Sequence, residues 1–358
     1  MAYGGTEGRV YVLAPLFAIH HRKNKMIKTI NSMIEKIKKL LGVKSLGANA
    51  LWLKNLRRNL PYVLKLKAGE HDKNVFYFVI APGVKHPGVA DRMKAIVNCY
   101  NVAKLNGYQF RIVFKIPFRL EDYLLPNKVD WVADYADLHY SLMGTKFFNE
   151  LNFLKEDSWK GRTTLKKNKE YHCYSYVGNR QPKVFPESGY EWSKLYAELF
   201  RPSPRLQNTI DACGFEEHSY VAVHLRFVNA LENFEEVTCW DNALRTEEEK
   251  VALIERCKQG LLRIKAENEG CRVLVFSDSK RFLDSLDDMP VEVLNHDNVG
   301  HVSYDGNDDA TLKTFLDLYM IARAKKVYRI DAPELYAWSG FAYTAAMMGG
   351  IDFLTENV

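Results

Sequence analysis

Three short polar sequences follow or precede apolar runs in this chain, and each offers groups that bind anions. Val223-His224-Leu225-Arg226 closes the run that begins at Tyr220. An arginine delivered by a buried strand cannot stay unpaired in the interior, where an uncompensated guanidinium is costly. Its planar fork suits two phosphate oxygens, so Arg226 fits a diphosphate grip, and it equally fits a structural ion pair. Phe276-Ser277-Asp278-Ser279-Lys280 closes a second run. Ser277, Asp278 and Ser279 suit nucleotide hydroxyls or a base edge, and Asp278 or Ser279 equally suits a helix cap. Ser339-Gly340-Phe341 opens a segment of small and apolar residues, Ala342, Ala345, Ala346, Met347 and Met348. Such a helix start has free N–H groups and a positive dipole end, which makes either a phosphate seat or a plain serine cap. A fourth place, Gly88–Met93, sits at a strand-to-helix handover and would turn Arg92 toward the same region.

Other chemistries lack their signatures. The chain has no G-x-x-x-x-G-K-[ST] phosphate loop, no G-x-G-x-x-G dinucleotide fingerprint, no H-E-x-x-H and no D-x-D at a strand end. The pairs Asp287-Asp288 and Asp308-Asp309 read as caps or loop charges. No obligatory metal and no cofactor is therefore expected. Cys99, Cys173, Cys213, Cys239, Cys257 and Cys271 include no C-x-x-C pair. They read as reduced core thiols of a cytoplasmic protein.

The elements that must position these groups alternate. Asn74–Ala81 reads as a strand, Val89–Leu105 as a helix with Val89, Met93, Ile96, Val97, Tyr100 and Ala103 on one face, and Gln109–Phe114 as the next strand. This is a βαβ unit. Pro117–Arg180 shows no clean period and reads as insertions with an acceptor-facing surface. Tyr190–Phe200 and Pro204–Cys213 read as helices. A second series follows: strand Tyr220–Leu225, helix Thr246–Lys265 opened by a Thr246/Glu249 capping box, strand Arg272–Phe276, helix Arg281–Leu286, strand Val291–Leu294, helix Asp309–Ala324, strand Lys326–Ile330 and helix Phe341–Met348. The expected fold is α/β, with two Rossmann-like, doubly wound halves facing across a cleft and ligands at the carboxyl ends of the strands.

With 358 residues, 47% hydrophobic and 26% charged, the chain suffices for two domains. No run reaches the length of a membrane span; Val10–Ile19 reads as a strand or core segment and not as a signal sequence. The net charge of +6 is uneven, since residues 1–70 hold 14 lysines and arginines against 3 acidic residues. Lys25–Leu41 carries an apolar stripe with lysines on its other positions, and Leu51–Lys67 is again apolar and basic. Such segments lie on anionic membranes or pack on their own core with lysines in water. Residues 22–67 are thus an expected peripheral membrane contact on the cytoplasmic face. Positive charge confined to an apolar stripe with few aromatics argues against a nucleic-acid partner. The expected division is a basic helical appendage over 1–70, an acceptor half over 71–205 and a donor half over 206–358.

Taken in order, these pieces resemble the fucosyltransferase superfamily of nodulation α-1,6-fucosyltransferases and protein O-fucosyltransferases. Gly88–Met93 resembles its G-x-G-N-R-[LM] opening, with Ala90 and Asp91 at the second Gly and Asn. His224-Leu225-Arg226 resembles H-x-R, followed here by Phe227 and Asn229 where a longer form has R-x-D. Phe276–Ser279 resembles its T/S-D strand end, and Phe315–Tyr319 through Ser339-Gly340-Phe341 its closing segment. The likeness covers Asn74–Gly350 and leaves the appendage without a counterpart. It implies a GT-B fold and metal-independent, inverting transfer from GDP-fucose to a glycan or lipid-linked glycan. By that likeness Arg226 holds the β-phosphate and His224 the nucleotide, Asp317 reads the guanine edge, and Ser339 with Gly340 and Phe341 completes the phosphate seat. Arg92, Asn229, Ser277, Asp278 and Ser279 line the donor. Glu232 or Glu236, on the loop after Arg226, is the expected general base, with Glu235 beside them and Asp91 an outsider. The competing reading is a non-catalytic nucleotide-sugar binder or membrane-surface protein on the same fold.

Overall fold

The computed structural model describes residues 73–81, 88–139, 144–148, 164–174, 191–232, 243–244, 246–294, 307–336 and 340–358. The chain divides into two compact units, Met1–Glu70 with His139–Leu142 and His71–Leu138 with Met143–Val358; the second carries the elements below. The expected helix Lys25–Leu41 and the apolar, basic stretch Leu51–Lys67, and with them the membrane contact, lie outside the described residues, as do Glu235, Glu236 and Ser339.

Strand β1 (Val75–Val79) is buried at every position, as a parallel strand covered on both faces must be. Helix α1 (Val89–Leu105) follows over the residues its periodicity predicts, then β2 (Gln109–Val113). Beyond the cis Ile116–Pro117 peptide come β3 (Leu124–Pro126), β4 (Thr145–Phe148) and β5 (Glu170–Cys173). Helix α2 (Trp192–Leu199) stops where Phe200 turns extended and begins β6 (Phe200–Pro202), which pairs antiparallel with β3. The first sheet has the order β2-β1-β5-β4, parallel throughout. The aperiodic middle of the chain thus supplies two of its strands. They were not legible because both are short and β5 carries Glu170 and His172 where a buried strand usually has apolar residues.

The second series forms as its caps dictate. Ser203 accepts the amide of Leu206 and Pro204 opens α3 (Pro204–Ala212). Strand β7 (Tyr220–Leu225) is wholly buried. The Thr246/Glu249 capping box is present at the start of α4 (Glu247–Glu267). Next come β8 (Arg272–Ser277), α5 (Lys280–Asp284), β9 (Glu292–Val293), α6 (Asp308–Ala322) with Asn307 as its cap, β10 (Lys326–Asp331), α7 (Gly340–Gly349) and β11 (Phe353–Asn357). The second sheet has the order β11-β10-β7-β8-β9, again parallel.

One apolar core runs through both series. Phe76, Phe78 and Phe110 of the first sheet, Met93 and Ile96 of α1, Leu195 of α2, Phe315 and Ile321 of α6, Ala345 of α7 and Tyr220 and Ala222 of β7 all belong to it. Helix α7 packs on α1 and α2 as well as on α6, so the last helix ties the two sheets together. The other face of the second sheet, through Val221, Val223 and Leu225, packs on Leu253, Cys257 and Leu261 of α4. Among the described residues no helix is long and apolar enough to cross a membrane.

Candidate functional site

The carboxyl ends of β7 and β8 lie side by side, because Leu225 and Ser277 are partners in the parallel register. That pairing brings Arg226 and Asp278 together. Asp278 Oδ1 accepts the amide of Phe227 at 2.7 Å, and Oδ2 accepts the amide of Val228 at 3.0 Å. The same Oδ2 stands 3.5 Å from Arg226 Nη1, with the two side chains 15% and 8% exposed. Val228 has φ +53°, a left-handed conformation that a β-branched residue adopts only when its surroundings hold it there. The carbonyl of Arg226 accepts the amide of Tyr336, which ties this turn to the segment after β10.

His224, one turn of the pleat before Arg226, is buried and stacks on Phe341 with centroids 5.8 Å apart. Burial, and then the neighbouring Arg226 charge, push its imidazole down to about 3, so it is neutral at physiological pH. The structure thus gathers His224, Arg226, Asp278, Gly340 and Phe341 at one end of the second sheet. Asn229 is half-buried on the loop between Val228 and Ala230.

Several expected donor-side groups are occupied by the backbone. Ser277 Oγ accepts the amide of Ser279, and Ser279 Oγ caps α5 through the amide of Phe282. Glu232 Oε1 accepts the amide of Arg281 at 3.2 Å, in the first turn of the same helix. The capping alternative therefore describes Ser279, while Asp278 latches the loop after β7 and Glu232 holds an amide of α5.

Two further expected residues, Asp317 and Arg92, are held by surroundings of their own. Asp317 lies on α6 nine residues beyond its first turn's Asp308, roughly 13 Å along the axis by helical rise. Both of its carboxylate oxygens meet Lys313 Nζ at 2.6 Å. Burial raises its pKa against the opposing pull of Lys313. Burial, and then the nearby Asp317 charge, raise the pKa of the Cys213 thiol, so Asp317 lies close to the end of α3. Arg92 is fully buried, with its guanidinium 5.4 Å from the Phe114 ring and 6.0 Å from Phe118. It does not open onto a surface, in contrast to the expectation from Gly88–Met93. Asp91 pairs with Lys94 at 2.7 Å.

Sequence reading passed over a buried polar row on β5. Glu170, His172 and Tyr174 share one face of the strand by their alternate spacing. His172 Nε2 lies 2.6 Å from Glu170 Oε1 and Nδ1 lies 3.2 Å from the Tyr174 hydroxyl, with Tyr77 edge-on to the imidazole. The signal available was the alternation Glu-x-His-x-Tyr in a stretch otherwise without a period. Among the described residues no group of three or more His, Cys, Asp or Glu side chains is placed to hold a metal ion.

No protein-family profile matches the chain, and no curated protein matches it in sequence. Solved structures do match in three dimensions. The α-1,6-fucosyltransferase NodZ soaked with GDP-fucose superposes with a TM-score of 0.52 at 16% identity, over 77% of this chain and 93% of that one. The same enzyme co-crystallised with GDP gives a TM-score of 0.50 at 14% identity, over 77% and 92%. The chain is thus an α/β protein with the GT-B-like fold of that transferase.

Proposed function

We propose that this protein is a glycosyltransferase that moves a sugar from a nucleotide donor, GDP-fucose, to a hydroxyl of a glycan or lipid-linked glycan, with inversion and without a metal. The observation that carries this reading is Arg226, mostly buried at the end of β7 and latched beside Asp278, in a fold shared with a transferase soaked with GDP-fucose.

The chemistry needs little else from the protein. The acceptor oxygen attacks the anomeric carbon as the bond to the β-phosphate oxygen breaks and GDP leaves with the electron pair. The acceptor proton goes to a carboxylate base. Charge grows on the diphosphate in the transition state, where a preorganised donor such as Arg226 lowers the barrier most; loss of one such donor typically costs ~10²–10³ in rate. Neutral His224, stacked on Phe341, adds no second cation beside it and is proposed to contact the nucleotide. Glu232 holds the amide of Arg281, so Glu236 is the residue assigned as base. The basic segment 22–67 is proposed to rest on an anionic membrane surface near a lipid-linked acceptor.

The test is calorimetric titration of the full chain with GDP, UDP, CDP and dTDP in EDTA, followed by donor turnover with GDP-fucose. Binding of GDP alone, with metal-independent release of GDP that Arg226→Ala abolishes and Glu236→Gln suppresses without loss of GDP binding, supports the reading. Binding of a different nucleotide changes the donor. Tight GDP binding with no turnover on any glycan acceptor, or by hydrolysis, replaces the enzyme with a nucleotide-sugar binder.

A further inference from the structure

Asp278 sits where a ligand-binding carboxylate was expected, yet both of its oxygens face the protein. Each accepts one amide of the turn after β7, at 2.7 Å from Phe227 and 3.0 Å from Val228. Bonds from amides to an ionised carboxylate are among the stronger hydrogen bonds. They hold a turn that has an intrinsic cost, since Val228 is β-branched at φ +53°. The residue immediately before that turn is Arg226, and Asp278 Oδ2 is 3.5 Å from its Nη1. That separation is a Coulombic contact and not a fitted hydrogen bond. It biases where the guanidinium rests without bidentate pairing.

We propose that Asp278 is the positioning residue of Arg226: it latches the β7 turn and holds the guanidinium in place for the distal phosphate of a nucleoside diphosphate, without touching the nucleotide itself. The inference rests on the functional reading above. It assigns to Asp278 a role different from the donor contact expected of its strand-end position, and it gives the strained Val228 a reason.

The experiment compares GDP with GMP, which lacks the phosphate in question, by calorimetry on the full chain. The proteins are wild type, Asp278→Asn, Arg226→Ala, the double variant, and Asp278→Asn combined with Val228→Gly. Asp278→Asn is isosteric but loses the charge and one acceptor. It is expected to weaken GDP about tenfold while leaving GMP within about twofold. In the Arg226→Ala background it is expected to add nothing, because the residue acts through Arg226. Val228→Gly removes the cost of the left-handed turn and is expected to restore part of the GDP affinity. If Asp278→Asn alone does not fold, the GDP-to-GMP comparison is made in the Val228→Gly background, where the turn no longer depends on the latch. Equal weakening of GDP and GMP, an additive loss on top of Arg226→Ala, or unchanged GDP binding each overturns the inference while leaving the functional reading in place. A wild-type chain that binds neither nucleotide overturns the functional reading and the inference with it.

Discussion

Tyr123 donates its hydroxyl to the carboxylate of Asp308 and stacks its ring on Phe315, two turns further along the same helix, with centroids 5.0 Å apart. Phe118 meets both rings edge-on, and Tyr196 donates to the Tyr319 hydroxyl at 3.1 Å nearby. This seam joins the segment after β2 to α6, and so fixes the carboxyl end of the first sheet relative to the helix that flanks β7.

Removing the hydroxyl tests the seam. The Tyr123 bond, and then Arg205 at 2.6 Å, hold the Asp308 carboxyl below its usual range. A carboxylate with a depressed folded pKa contributes stability above its unfolded pKa and loses it as pH falls through the folded one. Tyr123→Phe is expected to cost about 1.5 kcal/mol in urea unfolding at neutral pH, at the low end for a bond to a charged group because Asp308 is exposed. The deficit should shrink in acid below the ordinary aspartate range. Equal stability of variant and parent at neutral pH would show that the stacking alone holds the seam.

His224 predicts a different pH response. Its folded pKa of about 3 lies below the usual 6.5, so the unfolded chain binds the proton first. Stability from this group is full above the unfolded value and falls as pH drops from 6.5 toward 3, at up to about 1.4 kcal/mol per unit. His224→Phe keeps a ring against Phe341 and removes the titration. Unfolding free energies between pH 6.5 and 4.5 should fall less steeply in the variant than in the parent; parallel curves would reject the assignment.

Gly349 ends α7 where that helix approaches the last turn of α6. A Cβ there would lie 2.0 Å from the carbonyl oxygen of Ala322. The obstacle is backbone, so relief requires the two helices to separate. Gly349→Ala is expected to destabilise by about 3 kcal/mol, the upper part of the usual range for overpacking. A melting temperature within about 2 °C of the parent would mean that the helices slide apart at little cost.

The buried Glu170–His172 pair is expected to be a stability element. Glu170→Gln keeps the shape but replaces one carboxylate oxygen by an amide donor beside the 2.6 Å contact with His172. A loss of about 1–3 kcal/mol in denaturant is expected, the usual cost of a buried polar group left without its partner. No loss would mean that the pair contributes nothing to stability.

Periodicity, strand-end polarity and capping signals are local, and what they control was legible in the amino-acid order alone. That order predicted α1 to the residue, placed β7 and β8 as strands and placed Thr246 with Glu249 at a helix start. It also put His224 and Arg226 at the end of one strand and Asp278 at the end of the next. Partnership is not local. Only the parallel register, which sets Leu225 beside Ser277, put Asp278 under the Arg226 turn. Burial of Arg92 against Phe114 and Phe118 likewise depends on how α1 seats on β2. Glu170 and His172 form a strand because each satisfies the other inside the fold, a condition that no property of either residue reveals before the chain has packed.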